Sequence, residues 1–269
     1  MFAGDEVPGI RPAELLPGSV IGRKFRLEEQ IAEGGMGIVY RGWHVVLDQP
    51  IAIKVVRPEY AHHPEAVARF LNEARAIARL RGVHFARVLD IGRIENGPPY
   101  MVLDYLEGRD LRALLETEGP LELERAVNYV LQACEAMAEA HAIGVIHRDL
   151  KPENFFLSEL PQLSESRGNE LLKVLDFGIA KRLAVEGRSY TLRGQGLGSP
   201  NFMAPEQISA PDKTDARADI WSLGVVLFEL LTNQVPFAGE TLPVTCTSAP
   251  LVTAVGCTVS CGPAQAAEA

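Results

Sequence analysis

Cysteine is scarce in this chain: Cys134, Cys246, Cys257 and Cys261 are the only four in 269 residues. So few, so unevenly placed, exclude a disulfide framework and fit a reducing, cytoplasmic setting. Long apolar runs are also missing. No stretch approaches the roughly 18 uninterrupted apolar residues of a membrane span. The start, MFAGDEVPGIRPAELLPG, lacks a basic segment followed by an apolar one, so no membrane partner is expected. Positive charge is in deficit, with 26 Lys and Arg against 35 Asp and Glu for a net charge of -9, and no Lys or Arg follows Arg217. Without a basic patch, nucleic acid is excluded as an expected partner. What is present, 47% hydrophobic and 23% charged positions, is ordinary for a soluble chain able to bury a core.

Residues 1–20, rich in Pro and Gly without periodicity, read as a flexible leader. From Ile21 to Val56 the segments KFRLEEQIA, GIVYRGWHV and QPIAIKVV, punctuated by Gly, Asp and Pro, predict an antiparallel meander. Pro64 opens a helix with Val67, Phe70, Leu71, Ala74, Ile77 and Leu80 at helical spacing, and Gly82 is placed to close it. Two strand-like runs, ARVLDIG and PYMVLDYL, precede a mainly helical second half. There Val127, Val130, Leu131, Cys134 and Met137 mark an expected core face. The run Ala218 to Leu231 is apolar nearly all round, as in a helix buried inside a domain. Residues 238–269 show no usable period and read as an unstructured tail.

The turn QIAEGGMGIVYRG holds Gly34, Gly35 and Gly37 between two strand-like runs. Missing side chains let backbone N–H groups approach a polyphosphate, although taken alone this is better read as an ordinary Gly-rich hairpin. Lys54, in the apolar run IAIKVV, needs an anionic partner, and Glu73 on the helix is one candidate; a surface Lys and a solvated Glu are the plainer alternative. The segment HRDLKPEN, His147 to Asn154, followed by LDFG, Leu175 to Gly178, is far more specific. It supplies one carboxylate to orient a hydroxyl and two oxygen ligands suited to Mg²⁺.

Through GGMGIVY, AIK, HRDLKPEN, DFG, MAPE and DIWSLG in order, the sequence resembles the eukaryotic-like Ser/Thr protein kinases of bacteria from Ile21 to about Phe237. The resemblance implies an α+β, two-lobed fold: a β-rich N-lobe over 21–103 and a helical C-lobe over 104–237, with ATP between them. The implied activity is transfer of the γ-phosphoryl of Mg-ATP to Ser or Thr hydroxyls of protein substrates. By the same resemblance Asp149 is the base, Lys151 steadies the γ-phosphate, and Asn154 and Asp176 hold Mg²⁺. Lys54 grips the α and β phosphates and is held by Glu73. Asp104 and Leu106 bind adenine through their backbone, with Leu103 as gatekeeper, Val39, Ala52 and Phe156 around the ring, and Asp110 on the ribose. Arg148, Arg69 and Lys181 are expected to converge on a phosphate at Thr191 or, second, Ser189, placed by autophosphorylation during self-association; Ser199 is expected to meet substrate.

The family's first loop glycine is replaced by Ala32, which costs roughly 0.5 to 1 kcal/mol if the backbone there requires positive φ. The C-lobe, besides, looks shorter than the family's. A buried Glu206 without a basic partner, and exposed Trp221, Val225, Leu227, Phe228 and Leu231, are the expected consequences. A truncated module that binds nucleotide without turnover is therefore the alternative to an active kinase. His62 and His63 read as a solvated loop, and SELPQLSESRGNE between Asn154 and Asp176 reads as a surface insertion that could bind a partner.

Overall fold

The computed structural model describes residues 15–34, 37–95, 97–159, 170–177 and 200–237. The expected meander is present: β1 (Val20–Ile21), β2 (Phe25–Glu33), β3 (Gly37–His44) and β4 (Gln49–Val56) are successively antiparallel. With β5 (Val88–Arg93) and β6 (Pro99–Asp104) they form one sheet in the order β1-β2-β3-β4-β6-β5. Alternation decides its faces. Ile51, Ile53 and Val55 of β4 turn inward to join Phe25, Leu27, Tyr100 and Val102 in a buried cluster, which leaves Ala52 and Lys54 on the opposite face.

Helix α1 (Pro64–Ile77) starts with Pro at a first-turn position, where no N–H is needed. It buries Phe70 and Ala74 against Val56 and Met101, and the same face brings Glu73 inward. Gly82 does not close this helix. The last helical N–H bond runs from Ala78 to Ala74 O, and two further turns carry the chain to Leu80. Gly82 instead makes room for the Glu139 carboxylate, which accepts from the N–H groups of Arg81 (2.6 Å) and Gly82 (3.1 Å) and would collide with a Cβ there.

The second half is mainly helical, as expected, but periodicity did not signal its three-stranded sheet: β7 (Gly108–Asp110), β8 (Phe155–Ser158) and β9 (Leu171–Val174). Against it pack α2 (Leu111–Glu118) and α3 (Leu123–Ala142), followed along the chain by the short α4 (Pro205–Ser209) and by α5 (Arg217–Thr232), which lies on α3. The residues 160–169 of the long insertion join β8 to β9 and lie outside the described residues. Its far end is anchored, because the Glu170 carboxylate meets both Tyr129 Oη and Arg125.

Helix α3 turns a different face inward from the one its larger side chains suggested. Ala126, Tyr129, Ala133, Ala136, Met137 and Ala140 are buried, while Cys134 and Leu131 are exposed and Val127 and Val130 half-buried. Four alanines on one face let α5 approach closely, so close packing with small residues outcompetes the larger apolar stripe. On α5, Val225 is buried, against expectation. Trp221, Leu227, Phe228 and Leu231 are half-buried, and Trp221 stacks on Phe237 at 5.2 Å between ring centroids.

Candidate active site

The roof of the cleft follows from strand register. Ala32 lies opposite Val39, Val39 opposite Lys54, Ala52 opposite Leu103, and Lys54 opposite Met101. Directly paired residues share a face, so Ala32, Val39, Ala52, Lys54 and Leu103 line the side away from the Ile51 cluster. Ala32 sits in β2 and is not among the positive-φ residues, so the conditional cost of replacing glycine there does not arise. The hairpin closes where Gly34 N–H donates to Gly37 O at 2.9 Å; Gly35 lies outside the described residues.

Lys54 sits between two carboxylates. Its Nζ is 2.9 Å from Glu73 Oε1 and 2.6 Å from Asp176 Oδ1, so α1 is docked and β9 is joined to β4 through one cation. Burial alone would depress the Lys54 ammonium, but the charges of Asp176 and Glu73 outweigh it and raise its pKa. The Lys54 charge in turn holds the Asp176 carboxyl below the usual range. Glu73 goes the other way: burial pushes its pKa up, and Lys54 only partly offsets that. One cation shared by two carboxylates favours the nearer.

The catalytic-loop segment has little regular structure and is fixed by buried polar anchors. Asp219 of α5, fully buried, accepts from His147 N–H (2.9 Å) and Arg148 N–H (2.8 Å) and meets His141 Nε2 at 2.7 Å. Those contacts hold Arg148 at φ 66°, a strained conformation for a long side chain. The His147 ring is likewise buried, which lowers its pKa and keeps it neutral. Its Nδ1 accepts from Asp149 N–H at 3.3 Å, so Nε2 carries the proton and donates to Leu175 O at 2.9 Å. Asn154 donates through Nδ2 to Asp149 O at 2.6 Å, and Leu175 N–H donates to Asn154 O at 2.8 Å. Asp149, Asn154 and Asp176 are therefore tied together, with Asp176 itself at φ 47°. Phe177 packs on the rings of His147 and Phe85, at 4.7 and 5.9 Å between centroids.

At the cleft's back, Leu103, Asp104 and Leu106 are half-buried. The Asp104 carboxylate is held by Arg87 Nε at 3.0 Å, and Asp104 N–H donates to Arg87 O. Asp110 caps α2, its Oδ1 accepting from Ala113 N–H at 2.8 Å. Phe156 on β8 pairs with Asp110 and, like Lys151, is half-buried. Of the three cations expected to converge, Arg69 pairs with Glu65 at 3.4 Å and Arg148 Nη2 reaches Thr214 O at 3.4 Å. Lys181, Thr191, Ser189 and Ser199 lie outside the described residues. The expected burial of Glu206 is not found: the residue is half-buried, because it lies in the short α4 near the surface, and Arg217 lies close enough to feel its charge. His62 and His63 are exposed.

The sequence reading assigned no role to Asp219, His147, Arg57 or Arg87. For Asp219 a signal existed: a carboxylate inside an apolar helix must have buried donors to meet, as Glu229 of the same helix does in Arg112.

A β-roofed cleft with a docked Lys–Glu pair above an Asp- and Asn-bearing loop defines a protein kinase domain, and the chain belongs to that family, whose protein kinase domain matches residues 25–249. Bacterial kinases are among its relatives. It is 40% identical over 227 residues to serine/threonine-protein kinase pkn3 of Myxococcus xanthus, covering 83% of this chain and 40% of that protein. It is 38% identical over 220 residues to serine/threonine-protein kinase PknB of Mycolicibacterium smegmatis, covering 81% of this chain and 34% of that protein. The chain thus spans well under half the length of these two relatives.

Proposed function

We propose that this chain is an active protein Ser/Thr kinase, transferring the γ-phosphoryl of Mg-ATP to Ser or Thr hydroxyls of proteins. The observation that carries the proposal is the ion triad of Lys54, Glu73 and Asp176, joined through the Leu175 to Asn154 hydrogen bond to the loop that bears Asp149. In this reading Ala32, Gly34, Gly35, Gly37, Val39 and Ala52 roof the nucleotide and Phe156 floors it. Asp104 O and Leu106 N–H meet adenine beside Leu103, and the second oxygen of Asp110 meets ribose.

Asp176 and Asn154 fit a divalent cation, since both are hard oxygen donors. Lys54 keeps the Asp176 carboxyl ionised, and with Asn154 Nδ2 committed to Asp149 O the amide oxygen is the end left for a metal. When bound, Mg²⁺ would neutralise charge on the phosphates. Lys54 orients the α and β phosphates and Lys151 the γ. Asp149 aligns the substrate hydroxyl and takes its proton as the new O–P bond forms and the bond to the ADP oxygen breaks.

Phosphotransfer to a generic basic protein, measured beside ATP binding, tests this. Asp149→Asn should lower transfer by roughly 100-fold or more while sparing ATP binding, and Lys54→Met should abolish transfer. Full activity in either variant sinks the assignment. Nothing among the described residues of the site favours a module that binds nucleotide without turnover. Self-association is proposed as the route to phosphate at Thr191 or Ser189, which mass spectrometry after incubation with ATP would locate. No helix among the described residues is long and apolar enough to cross a membrane, which is compatible with the proposed cytoplasmic setting.

A further inference from the structure

One guanidinium outside the ion triad is placed to act on the nucleotide without touching it. Arg57 directly follows β4, three residues after Lys54, and precedes the turn Pro58–Tyr60 that leads into α1. Its Nε donates to Gly34 O at 2.9 Å, its Nη2 meets Glu33 Oε1 at 2.5 Å, and its Nη1 meets Glu59 Oε1 at 3.3 Å. Its side chain is only 18% exposed. Gly34 is the residue whose N–H closes the β2–β3 hairpin on Gly37 O, and Gly37 in turn lies against the Lys54 side chain. The carbonyl side of Gly34 is thus clamped to the end of β4 while its N–H side is clamped to Gly37.

Resting on the reading of the cleft as an ATP site, we propose that Arg57 is a positioning residue that fixes the height of the β2–β3 hairpin above Lys54, and so sets affinity for the phosphates rather than for the adenosine part. Two effects act together. The hydrogen bond to Gly34 O fixes the Gly34 end of the hairpin against the end of β4, close to Lys54, and a pre-placed turn binds an anion at less ordering cost. The guanidinium also offsets the charge of Glu33, whose other carboxylate oxygen accepts from the neutral Gln30 Nε2 at 3.1 Å, so that less negative charge faces a triphosphate. The fork geometry matters, because Lys cannot serve Gly34 O and two carboxylates from one planar group.

The test compares dissociation constants for ATP with Mg²⁺ and for adenosine in the unaltered chain and in Arg57→Ala, Arg57→Gln and Arg57→Lys. Arg57→Ala is expected to weaken ATP by about tenfold, the effect of losing one charge-assisted hydrogen bond, and to leave adenosine unchanged. Arg57→Lys and Arg57→Gln should each recover only part of the loss. Adenosine binding reports in the same experiment that each variant is folded; should Arg57→Ala fail that check, the Gln variant decides. Unchanged ATP affinity in the folded variants, or an equal loss for ATP and adenosine, overturns the positioning role. Absence of ATP binding by the unaltered chain would overturn the ATP-site reading itself, and is read before any variant.

Discussion

The two lobes hold their functional side chains by different means. In the N-lobe, Lys54 is delivered by a repeating ladder: eight residues of β4 pair in unbroken register with β3, and alternation does the rest. In the C-lobe, the segment from His147 to Asn154 has no ladder. It depends on single buried polar groups from remote parts of the chain, above all Asp219, which is 71 and 72 residues from the two N–H groups it accepts. A ladder shares its load among many bonds, whereas an anchor concentrates it, so the lobes should respond differently to single substitutions.

The sharpest break in that comparison is Asp219→Ala. It would strand the N–H groups of His147 and Arg148 and remove the fully buried partner of the half-buried His141, for a loss of about 3–5 kcal/mol. Denaturant unfolding should show this, with phosphotransfer lost alongside. Lys54→Met should abolish transfer with a smaller change in midpoint, because the β4 ladder survives it and the buried Glu73, its carboxyl already raised, can take up a proton. Comparable stability losses in the two variants would show that the lobes do not differ in this way.

A second, smaller effect concerns packing in the anchored lobe. Ala133 is buried on the α3 face that meets α5, so Ala133→Leu should overpack it at about 1–3 kcal/mol. Cys134→Leu, one residue on and exposed, should change little. Thermal melting of both separates the observed inner face from the one that residue size suggested.

That misreading shows what is legible in sequence and what is not. The meander, α1 and the Lys54–Glu73 pair could be read because hydrophobic period and a lone cation in a strand are local signals. The inner face of α3 could not, since Ala weighs little in a hydrophobic pattern yet decides how closely two helices approach. The strands β7 to β9, of three or four residues each, are too short to display alternation and exist through tertiary pairing. The motif HRDLKPEN announced Asp149 and Asn154, but their placement depends on Asp219, and the pairing of a helix carboxylate with a loop some 70 residues earlier leaves no local trace beyond a charged residue in an apolar run.

The finest test lies where the two lobes meet, at the cation shared by Glu73 and Asp176. Burial raises the Glu73 carboxyl and Lys54 depresses Asp176, so the two should titrate in that order on acidification. The sign for stability follows. A raised acid contributes stability that is complete below its ordinary pKa and lost as pH rises through the raised one. Ionised Glu73 therefore weighs against the fold at neutral pH. A depressed acid contributes above its ordinary pKa and loses that contribution as pH falls through the depressed one, so Asp176 supports the fold until the pH is well below about 4. Between these limits lies a window in which Glu73 is protonated and Asp176 is not. There the link from Lys54 to α1 becomes a hydrogen bond from the ammonium to a neutral carboxyl, while the link towards β9 remains an ion pair. Carbon-13 titration of the two side-chain carboxyls in the folded chain should show Glu73 protonating first, above the ordinary carboxylate range, and Asp176 later, below it. The reverse order would mean that Lys54 belongs chiefly to α1, and that the bridge between the lobes is the weaker of its two bonds.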